Sequence, residues 1–188
     1  MLTPVTFQNN KSKPSVFITA GDNYLGYRLA QLMLSPELKD RVGEVTVGSP
    51  SVLRTPAPEN TMPRSNGEDL LCELKHLGAK VVAYDAAGVE SDVDFRGQLQ
   101  GTDVAVLIPP FDHYNLRGEE YEAHCMIKET ESMLRALHSA KIDTLVQWSI
   151  PKFDGWTEQE HLPAIDVLQM LETAVKTMYD SYSCSFSL

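Results

Sequence analysis

The turn Thr19-Ala20-Gly21-Asp22-Asn23-Tyr24-Leu25-Gly26 holds the residues best suited to chemistry. It joins a β-branched run to an amphipathic stretch, so it predicts a strand passing through a tight turn into a helix. The first turn of such a helix presents unpaired backbone N–H groups and the positive end of the helix dipole, which together suit a phosphate. Close approach of backbone to that phosphate calls for glycine, and here Ala20 and Asn23 occupy two of the three places where glycine serves best. Asparagine tolerates a left-handed backbone better than other side-chain-bearing residues, so Asn23 is predicted to keep the shape of the turn while adding atoms beside the phosphate. Asp22 adds a negative charge at the tip, which opposes a pyrophosphate unless the side chain turns away. The reading is a phosphate cradle that is weakened, not abolished.

Other constellations are thinner. A tyrosine and a lysine one helical turn apart would let the lysine lower the phenol pKa for proton transfer, but no Tyr-x-x-x-Lys occurs. His161 is a candidate to polarise a carbonyl, against the plainer reading of a surface histidine. No catalytic residue is assigned. Glu120 and His124 share a helical face at i,i+4 spacing, yet no third ligand accompanies them, and no metal site is expected. No Gly-x-Ser-x-Gly elbow exposes a nucleophilic serine. Asp112-His113 follows two prolines and reads equally as a ligand contact or a turn. Cys72, Cys125 and Cys184 are odd in number and widely spaced, suggesting neither a disulfide framework nor a zinc site.

The elements that would position these residues follow from periodicity. Strands are predicted at Ser15–Ala20, Glu44–Gly48, Lys80–Tyr84, Asp103–Ile108 and Asp143–Ser149, with a sixth at Ser183–Leu188. Between them lie helices after Asn23, over Asp69–Leu77 and Val93–Leu99, a long one over Glu119–Ser139, and a last one over Ala164–Met178. Residues 1–14 read as a flexible tail, and Ser49–Asn66, with Pro50, Pro56, Pro58 and Pro63, as an exposed loop. Alternation of strands and helices at this spacing predicts an α/β fold, a doubly wound parallel sheet over residues 15–188. In such sheets ligands bind at the carboxyl ends of the strands, where strand order reverses. That gathers the first turn, Gly48, Asp85, Ile108, Pro109, Pro110 and Ser149 around one crevice.

Composition narrows the partners. A chain of 188 residues with formal net charge −10 works against nucleic acid or an anionic membrane as a direct partner. No signal core and no apolar run of roughly 20 residues is present. The address expected is cytoplasmic, with the nucleus as a second compartment.

In order and spacing these features resemble the NmrA-like group of atypical short-chain dehydrogenases, over about Ser15 to Leu188. The turn is similar to the group's TGATGxxG, with Ala20, Asn23 and Gly26 at the glycine places and only the last kept. Asp103-Val104-Ala105-Val106-Leu107-Ile108-Pro109-Pro110 resembles its fourth strand and cofactor-lining loop, and Leu145-Val146-Gln147-Trp148-Ser149 its fifth. The resemblance implies NADP or NAD as the cofactor, bound weakly or lost. It implies an arginine after the second strand for a 2′-phosphate, a place nearest Gly48 or Ser49 here, with Arg54 further on as the substitute or as a merely solvated side chain. Asp85 resembles an acidic residue near the adenine, or simply starts a turn. Relatives continue for roughly another hundred residues that build a substrate lobe, so that lobe is expected to be largely absent.

Two functions follow from the resemblance: a non-catalytic dinucleotide-binding module, a redox sensor or regulator acting through a protein partner or a homo-oligomer, and an NAD(P)H-dependent reductase of quinones or carbonyls. The altered glycines and the missing Tyr/Lys pair favour the first.

Overall fold

A computed structural model describes residues 13–50, 65–86, 88–108, 120–142, 144–148 and 169–178. Among these residues five strands form one sheet: β1 (Val16–Ile18), β2 (Val45–Ser49), β3 (Lys80–Ala83), β4 (Val104–Leu107) and β5 (Thr144–Gln147). All neighbours are parallel and the order is β3-β2-β1-β4-β5. The helices are α1 (Tyr24–Met33), α2 (Ser65–Leu77), α3 (Val93–Gln98), α4 (Glu120–Ser139) and α5 over 169–178. This is the doubly wound α/β fold expected, with strand order reversing between β1 and β4.

Side-chain alternation explains the two helical layers. Val16 and Ile18 of β1 point to one face and join Val45, Val47, Tyr27, Ala30, Leu71 and Leu74, the layer of α1 and α2. Phe17 points to the other, in one cluster with Leu107 of β4 and with Phe95, Met133, Leu137 and Val175 from α3, α4 and α5. There its ring stands edge-on to Phe95 with centroids 5.8 Å apart. β1 and β2 are buried throughout, whereas β3 and β5, the outer strands among the described residues, alternate toward solvent. Unbroken apolar runs therefore mark the centre of the sheet.

Helix α2 begins at Ser65, four residues before the predicted start. Ser65, Asn66 and Gly67 are poor interior helix formers but occupy the first turn, where propensity matters least, and Leu71 and Leu74 anchor the helix on the core. The predicted tail up to Ser12, most of the Pro-rich loop and the sixth strand lie outside the described residues.

Candidate functional site

The first turn sits at the reversal point. Thr19, 1% exposed, fastens β1 to β4. Its hydroxyl accepts from the Ile108 backbone N–H at 2.7 Å and faces the Ile108 carbonyl oxygen at 3.0 Å. The turn then folds back on itself. Ala20, not Asn23, takes the left-handed backbone, with φ +50°. That corrects the expectation for Asn23, whose φ of −97° and ψ of 162° are extended.

Asn23 does something else. It is the N-cap of α1, and its Oδ1 accepts from the Gly26 backbone N–H at 2.7 Å. The residue is 5% exposed. The third N–H of the helix, one of the donors a phosphate would use, is thus taken by the protein's own side chain. The N–H groups of Tyr24 and Leu25 lie in the first turn, without an i−4 partner inside the helix, and the dipole end is intact.

Glycine survives where sterics leave no choice. A Cβ on Gly26 would overlap the Ala20 carbonyl, so this glycine sets the close packing of α1 on the turn. A Cβ on Gly21 would fall 2.7 Å from the Cβ of Val47. Gly21 also donates to the Gly48 carbonyl at 2.7 Å, pulling the turn against the end of β2. Gly48 itself faces inward: a Cβ there would meet the rings of Tyr84 at 2.7 Å and Phe17 at 2.9 Å. Its lack of a side chain serves the core.

The Asp22 carboxylate turns to the end of β2, where its Oδ2 accepts from Ser49 Oγ at 3.1 Å. Ser49 is fully buried and Asp22 half-buried. Sequence reasoning placed Ser49 only as the neighbour of a missing arginine; a serine ending a strand gives no signal of this pairing. Tyr84, Ala86, Pro50, Leu107, Ile108, Thr130 and Met133 line a cavity of about 20 Å³ beside Thr19, room for roughly one water molecule. Asp85 is exposed on the loop after β3, and its carbonyl accepts from the Gly88 N–H. The structure thus brings together Ala20, Gly21, Asp22, Asn23, Tyr24, Leu25, Gly26 and Ile108, with Asp85 at the next strand end. Arg54, Pro109, Pro110, Asp112, His113, Ser149 and His161 lie outside the described residues. Among those described, no three His, Cys, Asp or Glu side chains are placed to hold a metal ion, and His124 is exposed.

No protein-family model matches the sequence, and no curated protein matches it. Similar solved structures do exist. A structure described as AtPrR2 with NADP+ and (+)pinoresinol is 14% identical with a TM-score of 0.60, over 92% of this chain and 48% of that one. Triphenylmethane reductase from a Citrobacter species is 16% identical with a TM-score of 0.56, over 87% and 45%. The leucoanthocyanidin reductase–NADPH complex of Vitis vinifera is 12% identical with a TM-score of 0.56, over 90% and 46%. This chain spans about half the length of each. At such identity the likeness defines the class of fold, the Rossmann-type domain on which these reductases are built.

Proposed function

We propose that the chain is an NmrA-like module that binds NADP or NAD weakly at the first turn and acts as a redox sensor or regulator without turnover. One observation carries the reading: the helix N-terminus at the strand-order reversal keeps its position and its dipole, while the Asn23 side chain competes for the Gly26 N–H. Similar structures described with NADP+ or NADPH support a dinucleotide as the ligand. The Tyr-x-x-x-Lys pair that would transfer a proton is missing from the sequence. Its output would pass through a protein partner or a second copy. In support, the β5 edge presents Val146 and Trp148, 49% and 37% exposed.

Titration with NADPH and NADH, read by tryptophan fluorescence and followed by an oxidation assay with quinones, tests the proposal. Binding without turnover is expected. Asn23→Gly should tighten binding severalfold by releasing the Gly26 N–H, at a cost of only a few tenths of a kcal/mol in stability. Steady oxidation of NADPH by a quinone would install the reductase reading instead. If neither dinucleotide binds, the crevice has another use.

A further inference from the structure

The end of the sheet opposite the first turn carries a groove of its own. Helices α3 and α4 lead into β4 and β5, so with all strands parallel their last residues lie at the other end of the sheet from Gly21 and Asn23. Where α3 meets the end of α4 the groove holds about 590 Å³, lined by Val93, Arg96 and Gly97 of α3, by Gln100 beyond it, and by Ala140 and Lys141 past α4. Its charged residues are both cations, in a chain of net charge −10. Arg96 donates one N–H to the Asp92 carbonyl at 3.4 Å, and among the described residues neither Arg96 nor Lys141 forms an ion pair. The Asp92 carboxylate is itself engaged, capping α3 through the Phe95 N–H at 2.9 Å. Val93 adds an aliphatic side chain that is 69% exposed. Lys141 holds a left-handed backbone, φ +59°, at the helix end where α2 uses Gly78. The dipole of α4 calls for a cation near its last turn, but not for one at the position where glycine fits best. Strain kept against that preference points to a use for the side chain.

We infer that this groove docks a short acidic segment of a separate protein, with carboxylates on Arg96 and Lys141 and an aliphatic side chain against Val93. The inference stands apart from the dinucleotide reading, because the groove and the crevice occupy opposite ends of the sheet. Arginine takes a carboxylate through two parallel N–H groups, and the lysine ammonium takes one as a point charge. At physiological ionic strength charges are screened over about 8 Å, so a carboxylate in the groove feels these two cations far more than the distant acids of the chain. A whole second copy brings a large like charge instead.

The test is fluorescence anisotropy of the full chain with a short labelled peptide carrying several glutamates around a single leucine. The native protein should bind it, and the same peptide with glutamines in place of the glutamates should bind at least about fivefold more weakly. Arg96→Gln combined with Lys141→Gly should weaken binding of the glutamate peptide by about fivefold or more, the sum of two exposed pairs. Lys39→Gln combined with Lys128→Gln removes the same charge from exposed lysines outside the groove and should leave binding within about twofold. Lys141→Gly alone should raise the unfolding temperature and still weaken binding, a combination that a purely structural lysine does not give. No binding of the glutamate peptide, equal binding of the glutamine peptide, or equal losses in the two double variants overturns the inference. So does a dimer in sedimentation that the groove variant dissolves, since the occupant is then a second copy.

Discussion

Ala20 pays for the tight turn with backbone strain. At φ +50° an alanine costs roughly 1–2 kcal/mol relative to glycine, since its Cβ crowds the following carbonyl. Glycine would relieve that strain but lose about 0.8 kcal/mol of buried methyl and add unfolded-state entropy of similar size. Ala20→Gly should therefore change stability by less than about 1 kcal/mol. Ala30→Gly, at a fully buried position inside α1, should cost about 2 kcal/mol, because there the methyl loss and the helix penalty add. Urea unfolding of the two variants side by side checks this; equal losses would show that Ala20 is not strained. A β-branched residue fits the left-handed region worse still, and Ala20→Val should cost more than about 2 kcal/mol.

At the scale of elements, the ends of α2 and α4 form a natural comparison. Both close in the same motif. Gly78 donates to the Lys75 carbonyl and Ala79 to Leu74, while Lys141 donates to His138 and Ile142 to Leu137. The left-handed residue is Gly78 at φ +103° in one and Lys141 at φ +59° in the other, and both are exposed. Lys141→Gly should stabilise the protein by about 0.5–1 kcal/mol, and Gly78→Ala should destabilise it by about 1 kcal/mol. Opposite shifts in thermal unfolding are the check; two losses would refute the comparison.

The contact of α1 with α2 gives a pH dependence. A hydrogen bond to the Glu73 carboxylate raises the Tyr27 phenol above its usual 10.0, helped by burial and the Glu73 charge and opposed by Arg28. A folded-state pKa above the unfolded one means that the folded protein holds this proton more tightly. The associated stability is complete below pH 10 and is lost as pH rises through the folded value. The stability of the native protein minus that of Tyr27→Phe should therefore fall across that alkaline range. A difference that stays flat there would remove Glu73 as the partner.

For the whole molecule the dominant quantity is charge. With a net charge of −10, duplex DNA should be repelled, and any effect on transcription must pass through a protein. Fluorescence anisotropy with a labelled duplex at about micromolar protein should show no binding that falls steeply between low and moderate salt. No helix among the described residues is long and apolar enough to cross a membrane.

The sequence alone determined the order of elements and the parallel sheet. Apolar runs such as Val104-Ala105-Val106-Leu107 and helical spacings such as Leu70, Leu71 and Leu74 are local patterns, and burial follows directly from them. It also placed Gly26 at the one glycine position the turn keeps; the structure supplied the reason, since a Cβ there would overlap the Ala20 carbonyl. Only the tertiary structure decided the roles within the turn. Which residue takes the left-handed backbone, which side chain caps α1 and where Asp22 points all depend on the approach of β2. Gly21 docks on Gly48, and Ser49 lies 27 residues from the carboxylate it holds. Pairings of that separation leave no periodic trace, because they are fixed by the distance between strand ends after the sheet has assembled.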